Sequence, residues 1–146
     1  MEAGNRGAKE AGGISLGMTI SLPHEQGLNE YCTLEASMQF HYFFLRKLWV
    51  LLRTRAFVAF PGGIGTLDEL FEIFTLIQTK KVAKFPIILF GSDFWKPLIN
   101  FKQLLDWGLI NPEDLDLFKL FDDVDEASQY LQSILTPSFL ENSYNR

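Results

Sequence analysis

The sequence predicts an α/β fold, a parallel sheet covered by helices on both faces in three layers. Two apolar runs, Ala56–Phe60 and Phe85–Phe90, carry no charge, as strands buried on both faces do. Segments with helical spacing of apolar residues alternate with such runs along the whole chain. A glycine turn, Pro61-Gly62-Gly63-Ile64-Gly65-Thr66, joins the first run to the patterned segment Leu67–Thr79. A strand, a glycine turn and a helix N-terminus in succession form a site for an anion, because free backbone amides and the helix dipole point toward it.

The chain has 146 residues, the size of one domain, and is 47% hydrophobic, enough for a buried core. Its net charge of −5 argues against a nucleic-acid polymer as partner. Arg46, Lys47, Arg53 and Arg55 interrupt the most apolar region before it reaches membrane-spanning length, and no signal peptide is evident. A single cysteine, Cys32, excludes an internal disulfide and fits a reducing, cytoplasmic compartment.

Taken in order, residues 2–11 form a short helix ended by Gly12-Gly13. Gly4 and Gly7 weaken it, and close packing against a neighbour would account for them. Ile14–Leu22 is a strand whose alternation puts Ile14, Leu16, Met18, Ile20 and Leu22 on one face, and Pro23 ends it. Residues 23–33 are a polar loop. His24 and Glu25 stand just past the strand's C-terminal end, where open sheets place ligand contacts, although an ordinary surface loop accounts for them equally well. Met38–Phe44 reads either as a strand or as the start of a buried helix. Phe44–Arg53 is helical with apolar groups nearly all round, which predicts burial on several sides, and a subunit contact is one way to supply it. Arg46 and Arg53 share a face of it, as a solvated stripe or as converging cations for an anion.

After the glycine turn, Leu67, Leu70, Phe71, Phe74 and Ile77 give the helix its buried side, and Lys80-Lys81 suit its C-terminal dipole. Phe85–Phe90 is the next core strand, with Pro86 tolerated only near its beginning. Gly91-Ser92-Asp93 is a turn, Phe94–Leu109 is mainly helical, and Asn111-Pro112-Glu113-Asp114 breaks the chain. Leu115–Phe121 is a weak strand, Val124–Leu135 a last helix, and residues 137–146 a flexible tail to a single domain of residues 1–136.

The glycine turn is not a P-loop, which needs a lysine here, and the spacing of Gly62, Gly63 and Gly65 misses the dinucleotide fingerprint. Thr66 and Glu69 fit a capping box, Thr-x-x-Glu. That structural role competes with a catalytic one, because a carboxylate folded onto the N-cap amide is less free to meet substrate. If a nucleoside monophosphate placed its phosphate at the turn, the ribose would lie near the first helical turn. A carboxylate there would stabilise the oxocarbenium-like state of glycosidic cleavage and orient the attacking water.

Pro61-Gly62-Gly63-x-Gly65-Thr66-x-x-Glu69, together with Arg46-Lys47, resembles the signature of the LOG ("lonely guy") family of nucleotide phosphoribohydrolases. Glu2-Ala3-Gly4-Asn5-Arg6-Gly7-Ala8, Glu10-Ala11-Gly12-Gly13-x-Ser15-x-Gly17, Leu22-Pro23-x-Glu25-Gln26, His41-Tyr42-Phe43-Phe44 and Phe71-Glu72-x-x-Thr75-Leu76-Ile77-Gln78-Thr79 extend the resemblance, in the manner of the larger bacterial subgroup. The resemblance implies a Rossmann-like three-layer α/β/α domain. It implies cleavage of the N-glycosidic bond of AMP or cytokinin riboside monophosphates to free base and ribose 5-phosphate. Glu69 and Arg46 then correspond to the essential glutamate and arginine, Gly62, Gly63, Gly65 and Thr66 to the phosphate turn, and Lys47 and Arg6 to supporting cations. No metal and no cofactor are implied, and a homodimer or higher homo-oligomer is. Many bacterial members are labelled "possible lysine decarboxylase". Nothing in this sequence suggests a pyridoxal phosphate lysine, so the resemblance implies that this label misdescribes the chemistry.

The chain departs from the pattern in two places. Residues 29–31 read Asn-Glu-Tyr where the subgroup usually has a central proline. The leading strands and Gly-Ser loop of the family have no counterpart, so the sequence reads as a fragment, a mis-started frame or a truncated paralogue. A sheet edge and part of the base and ribose pocket are then expected to lie open. The alternative to the enzyme is a nucleotide-binding or regulatory protein without turnover, and after it a structural remnant that binds no ligand.

Overall fold

The computed structural model describes residues 2–21 and 27–143, with side chains through Thr136. The chain forms two compact units, Met1–Arg53 and Thr54–Arg146, and every paired strand in either is parallel. The architecture is α/β, with parallel strands and flanking helices as in Rossmann-like folds.

The first unit opens with α1, Glu2–Glu10. It ends as its glycines predict: Gly12 adopts φ +75°, its amide reaches the Lys9 carbonyl at 3.0 Å, and the Gly13 amide reaches the Ala8 carbonyl at 2.8 Å. Gly4 and Gly7 are not explained by packing, because a Cβ at either would meet no atom within 4 Å among the described residues.

The alternation expected over Ile14–Leu22 is out of phase at its start. Ser15 and Gly17 are buried, while Ile14 and Leu16 are exposed. Backbone bonding decides this. The Thr33 amide donates to the Ser15 carbonyl at 2.8 Å, the Gly17 amide to Ser37 Oγ at 3.0 Å, and the Met38 amide to the Gly17 carbonyl at 2.9 Å. A Cβ on Gly17 would stand 2.1 Å from Leu28 Cδ2 and 3.1 Å from Cys32 Sγ, so the segment 28–37 closes over it. Regular strand is confined to β1, Met18–Ile20, paired in parallel with β2, Met38–Phe40. Cys32 is buried, and Asn5 Nδ2 of α1 donates to its sulfur at 2.8 Å. Lys9 Nζ adds a bond to the Glu30 carbonyl at 3.0 Å.

Helix α2, Phe43–Arg53, packs on β1 and β2. The burial on several sides that its composition predicts does not occur. No residue of α2 is fully buried, and the row Phe44, Leu48, Leu52 is exposed by 65%, 48% and 65%. Two short strands cover only one side of a helix.

In the second unit β3 (Phe57–Ala59), β4 (Ile87–Phe90) and β5 (Lys119–Phe121) form one sheet in that order. β4 lies between the others, and its Ile87, Ile88 and Leu89 are 1% exposed or less. Pro86 stands just before it, where its carbonyl accepts from the Phe57 amide at 2.9 Å. Helix α3, Ile64–Gln78, buries Leu70, Ile73, Phe74 and Ile77. Ile73 thus takes the place expected for Phe71, which is 41% exposed. Phe74 meets Phe101 and Phe118, with ring centroids 6.1 and 5.6 Å away. Lys80 ends α3 in the left-handed region at φ +57°, with the Lys81 amide bonded to the Leu76 carbonyl at 2.9 Å.

The segment expected as one helix over Phe94–Leu109 is two, α4 (Ser92–Leu98) and α5 (Phe101–Asp106). Pro97 removes a helical donor, and Asn100 starts the second helix by accepting the Gln103 amide on its side chain at 3.1 Å. The weak strand is shortened at its start by a 3-10 turn over Pro112–Leu117. Helix α6 runs from Val124 to Ser143. Val58, Phe60, Ile88 and Phe90 share one sheet face, which meets α6 across an apolar groove of about 560 Å³. Among the described residues no helix is long and apolar enough to cross a membrane.

Candidate functional site

The three strands of the second unit end at one edge, because they are parallel and in register. Open α/β sheets place their ligands at that edge. β3 runs out at Ala59 into Phe60-Pro61-Gly62-Gly63, and α3 begins at Ile64. Its N-cap is Gly63, at φ −88° and ψ −154°, which has no side chain to make a capping bond. The Gly63 carbonyl accepts the Thr66 and Leu67 amides at 3.1 and 3.2 Å. The helix therefore starts three residues earlier than a Thr66 cap requires. Thr66 lies inside the first turn and the half-buried Glu69 inside the second. The capping-box reading, with Thr66 as N-cap and Glu69 at the third helical position, is thereby removed.

Thr66 has another partner. A Cβ on Gly62 would stand 2.1 Å from Thr66 Oγ1 and 2.9 Å from Thr66 Cβ, closer than real atoms approach. The hydroxyl of Thr66 thus lies directly over the Gly62 backbone, and only glycine fits beneath it. At Gly63 and Gly65 a Cβ would meet no atom within 4 Å among the described residues, so a ligand can approach the backbone there.

The cations stand in the first unit. Arg46 and Lys47 are adjacent on α2, both half-buried, with Arg46 Nε shielded from solvent. Arg6 on α1 faces Glu10 at 3.5 Å in an exposed i,i+4 pair, a contact of a few tenths of a kcal/mol. Arg53 lies over the Trp49 ring at 5.7 Å. The fold thus gathers Gly62, Gly63, Gly65, Thr66 and Glu69 on one strand–helix junction and carries Arg6, Arg46 and Lys47 on two helices of the other unit. His24 and Glu25 lie outside the described residues. Among the described residues no group of three or more His, Cys, Asp or Glu side chains could hold a metal ion.

The family model described as "Possible lysine decarboxylase" matches residues 1–131. The chain belongs to this family. Within it, the chain is 36% identical over 69 residues to a cytokinin riboside 5'-monophosphate phosphoribohydrolase of Arabidopsis thaliana, covering 46% of this chain and 31% of that one. It is 34% identical over 79 residues to the protein of the same name from Mycobacterium tuberculosis, covering 51% and 41%. A probable cytokinin riboside 5'-monophosphate phosphoribohydrolase of Oryza sativa is 38% identical over 69 residues, covering 46% and 32%. These matches span between about a third and two fifths of the relatives' own lengths.

Sequence reasoning did not find the other residues that shape this edge in the family member described here. Gly91 follows β4 at φ +92°, and a Cβ on it would meet Pro61 Cγ at 3.4 Å. Asp122 follows β5, and its Oδ1 accepts the Ser92 amide at 2.6 Å. Those hydrogen bonds from Ser92, aided by the Lys96 charge, hold the Asp122 carboxyl below the usual carboxylate range. Its neighbour Asp123 serves a different helix, accepting the Glu126 amide at 2.9 Å in the first turn of α6. The available signal was Asp-Asp directly after Phe121, but a cap reaching back 30 residues has no local pattern.

Proposed function

We propose that the chain is a phosphoribohydrolase of nucleoside 5'-monophosphates. Water cleaves the N-glycosidic bond, the base leaves with a proton, and ribose 5-phosphate is the second product. The phosphate is received at the Gly62–Thr66 turn, where the dipole and the first amides of α3 favour an anion. Glu69, one turn further along, stabilises the positive charge that develops on the ribose and orients the attacking water. Arg46 is assigned by its match to the family motif as the cation that holds the phosphate or steadies the carboxylate, with Lys47 and Arg6 in support. AMP and cytokinin riboside monophosphates are the two substrate types to compare.

The observation that carries this reading is the Gly63 start of α3. It places the N-cap at Gly63 instead of Thr66 and puts Thr66 Oγ1 over Gly62. The printed names of the relatives point the same way. Decarboxylation has no comparable support. A homodimer belongs to the same proposal, supported by the exposed row Phe44, Leu48, Leu52 on α2, as does a cytoplasmic location, supported by the single cysteine.

The test is release of ribose 5-phosphate from AMP and from a cytokinin riboside monophosphate by the purified chain. Release from either is expected, and Glu69→Ala and Arg46→Ala are each expected to lower it by roughly a hundredfold or more. Calorimetric binding of AMP with no release would leave a nucleotide-binding protein and end the enzymatic reading.

A further inference from the structure

The C-terminal edge of the sheet is laced from strand to strand. The Gly91 amide donates to the Phe121 carbonyl at 2.9 Å, and the next amide, Ser92, donates to Asp122 Oδ1 at 2.6 Å. Gly91 in turn backs the ring of Pro61, with Cγ and Cδ 3.4 and 3.7 Å from where a Cβ would stand. Phe60 and Phe90, one residue before each glycine-bearing turn, have ring centroids 5.2 Å apart. Hydrogen bonds and one ring contact thus connect Asp122 to the β4–α4 turn and that turn to Phe60, and Pro61, the residue immediately before Gly62, is its close neighbour.

Asp122 has an unusual place in this path. The N-cap of α4 is Gly91, which has no side chain to cap with, and Ser92 is 7% exposed. The buried Ser92 amide takes its acceptor from the end of the next strand instead. Removing that carboxylate leaves the Gly91–Phe121 bond in place but takes away the acceptor of the Ser92 amide, which loosens the β4–α4 turn beside Pro61. The direction that Gly62 and Gly63 take into α3 depends on Pro61, because its ring fixes the φ angle that precedes them.

We propose that Asp122 is a positioning residue for the phosphate turn, acting through the Gly91 backbone on Pro61 and so on the path of Gly62 and Gly63. The inference rests on the phosphate-binding role proposed for that turn. It adds a residue from a strand two places away, one that no motif places there. A misplacement of backbone donors by a fraction of an ångström is enough to weaken binding of a group they cradle.

The test compares Asp122→Ala, Asp122→Asn and Asn100→Ala with the unaltered chain. Asn100→Ala removes a cap of the same kind at α5, and so controls for stability alone. Ribose 5-phosphate is titrated by calorimetry, and the amide chemical shifts of Gly62 and Gly63 are recorded without ligand. Asp122→Ala is expected to weaken ribose 5-phosphate binding by about tenfold and to move both amide shifts. Asp122→Asn, which keeps an acceptor for the Ser92 amide, is expected to restore most of the affinity, and Asn100→Ala to leave affinity and shifts unchanged. Unmoved shifts in Asp122→Ala, or equal losses in Asn100→Ala, overturn the inference. If the unaltered chain fails to bind ribose 5-phosphate while the shifts still move, the coupling stands and the assignment of the turn to phosphate falls.

Discussion

Helices α3 and α4 begin in the same way, and the function proposed above gives their starts different work. Each follows a core strand, each has glycine as its N-cap, and neither glycine can supply a capping side chain. At α4 a carboxylate is brought in from the end of β5, 2.6 Å from the Ser92 amide. At α3 Gly63 likewise has no side chain to cap with, and among the described residues no atom would stand within 4 Å of a Cβ at Gly63 or Gly65. The positive end of α4 is matched within the protein, while the function proposed above has that of α3 receive an anion. Two junctions built to one plan thus set a helix start filled by an aspartate from the next strand end beside the start to which the proposed phosphate site is assigned.

The most disruptive way to break the contrast is to give the α3 turn a side chain. Gly62→Ala forces Thr66 off the backbone it covers, and is expected to weaken ribose 5-phosphate binding by at least about tenfold and stability by about 1–3 kcal/mol. Titration calorimetry and urea denaturation measure the two effects. Unchanged binding would contradict the role given to the turn. A gentler change makes α3 resemble α4. Gly63→Asp supplies the missing cap, and its extended φ of −88° admits any residue. Stability is expected to rise by roughly 0.5 kcal/mol while ribose 5-phosphate affinity falls, since the new carboxylate occupies the anion's place. A rise in both would mean that the anion binds elsewhere.

The smallest expected effect is a pH dependence confined to α4. The Asp122 carboxyl is held below its ordinary value of 3.8 by the Ser92 hydrogen bonds. Its contribution is therefore fully present above pH 3.8 and is lost as pH falls through the lower folded-state value. Thermal melts from pH 6 to about pH 2 are expected to show an acid-side loss that is reduced in Asp122→Ala. Tyr130 gives the opposite sign. Burial pushes its phenol above 10.0, so its contribution holds below that pH and is lost as pH rises through the folded-state value.

What the sequence disclosed follows from how local each cause is. β4 was legible because a strand buried on both faces needs no charge anywhere, and Ile87-Ile88-Leu89 meets that condition. The glycine turn was legible because Gly62 has to be glycine. The start of α3 was misplaced because Thr66 is a better N-cap by residue type than Gly63, yet Thr66 is occupied with Gly62. The phase of 14–17 was misread because apolar alternation suggests that Ile14 and Leu16 face inward. Backbone bonds to Thr33, Ser37 and Met38 turn Ser15 and Gly17 in instead. The Phe94–Leu109 break hung on Pro97, which lacks a helical donor, and on Asn100, which caps a new helix instead of continuing the old one. Asp122 and Pro61 are linked through the turn at Gly91, and relations between strand ends leave no trace in periodicity.

Cys32 lends itself to a different kind of measurement. It is the sole cysteine, 8% exposed, held by the Asn5 amide and packed against Gly17. A thiol reagent can reach it only when the 28–37 segment lifts or α1 detaches. The rate of its modification in native buffer therefore reports the free energy of that local opening, separately from global unfolding. Asn5→Ala, which releases the sulfur without touching the β1–β2 pairing, is expected to speed labelling while leaving the unfolding of the second unit unchanged.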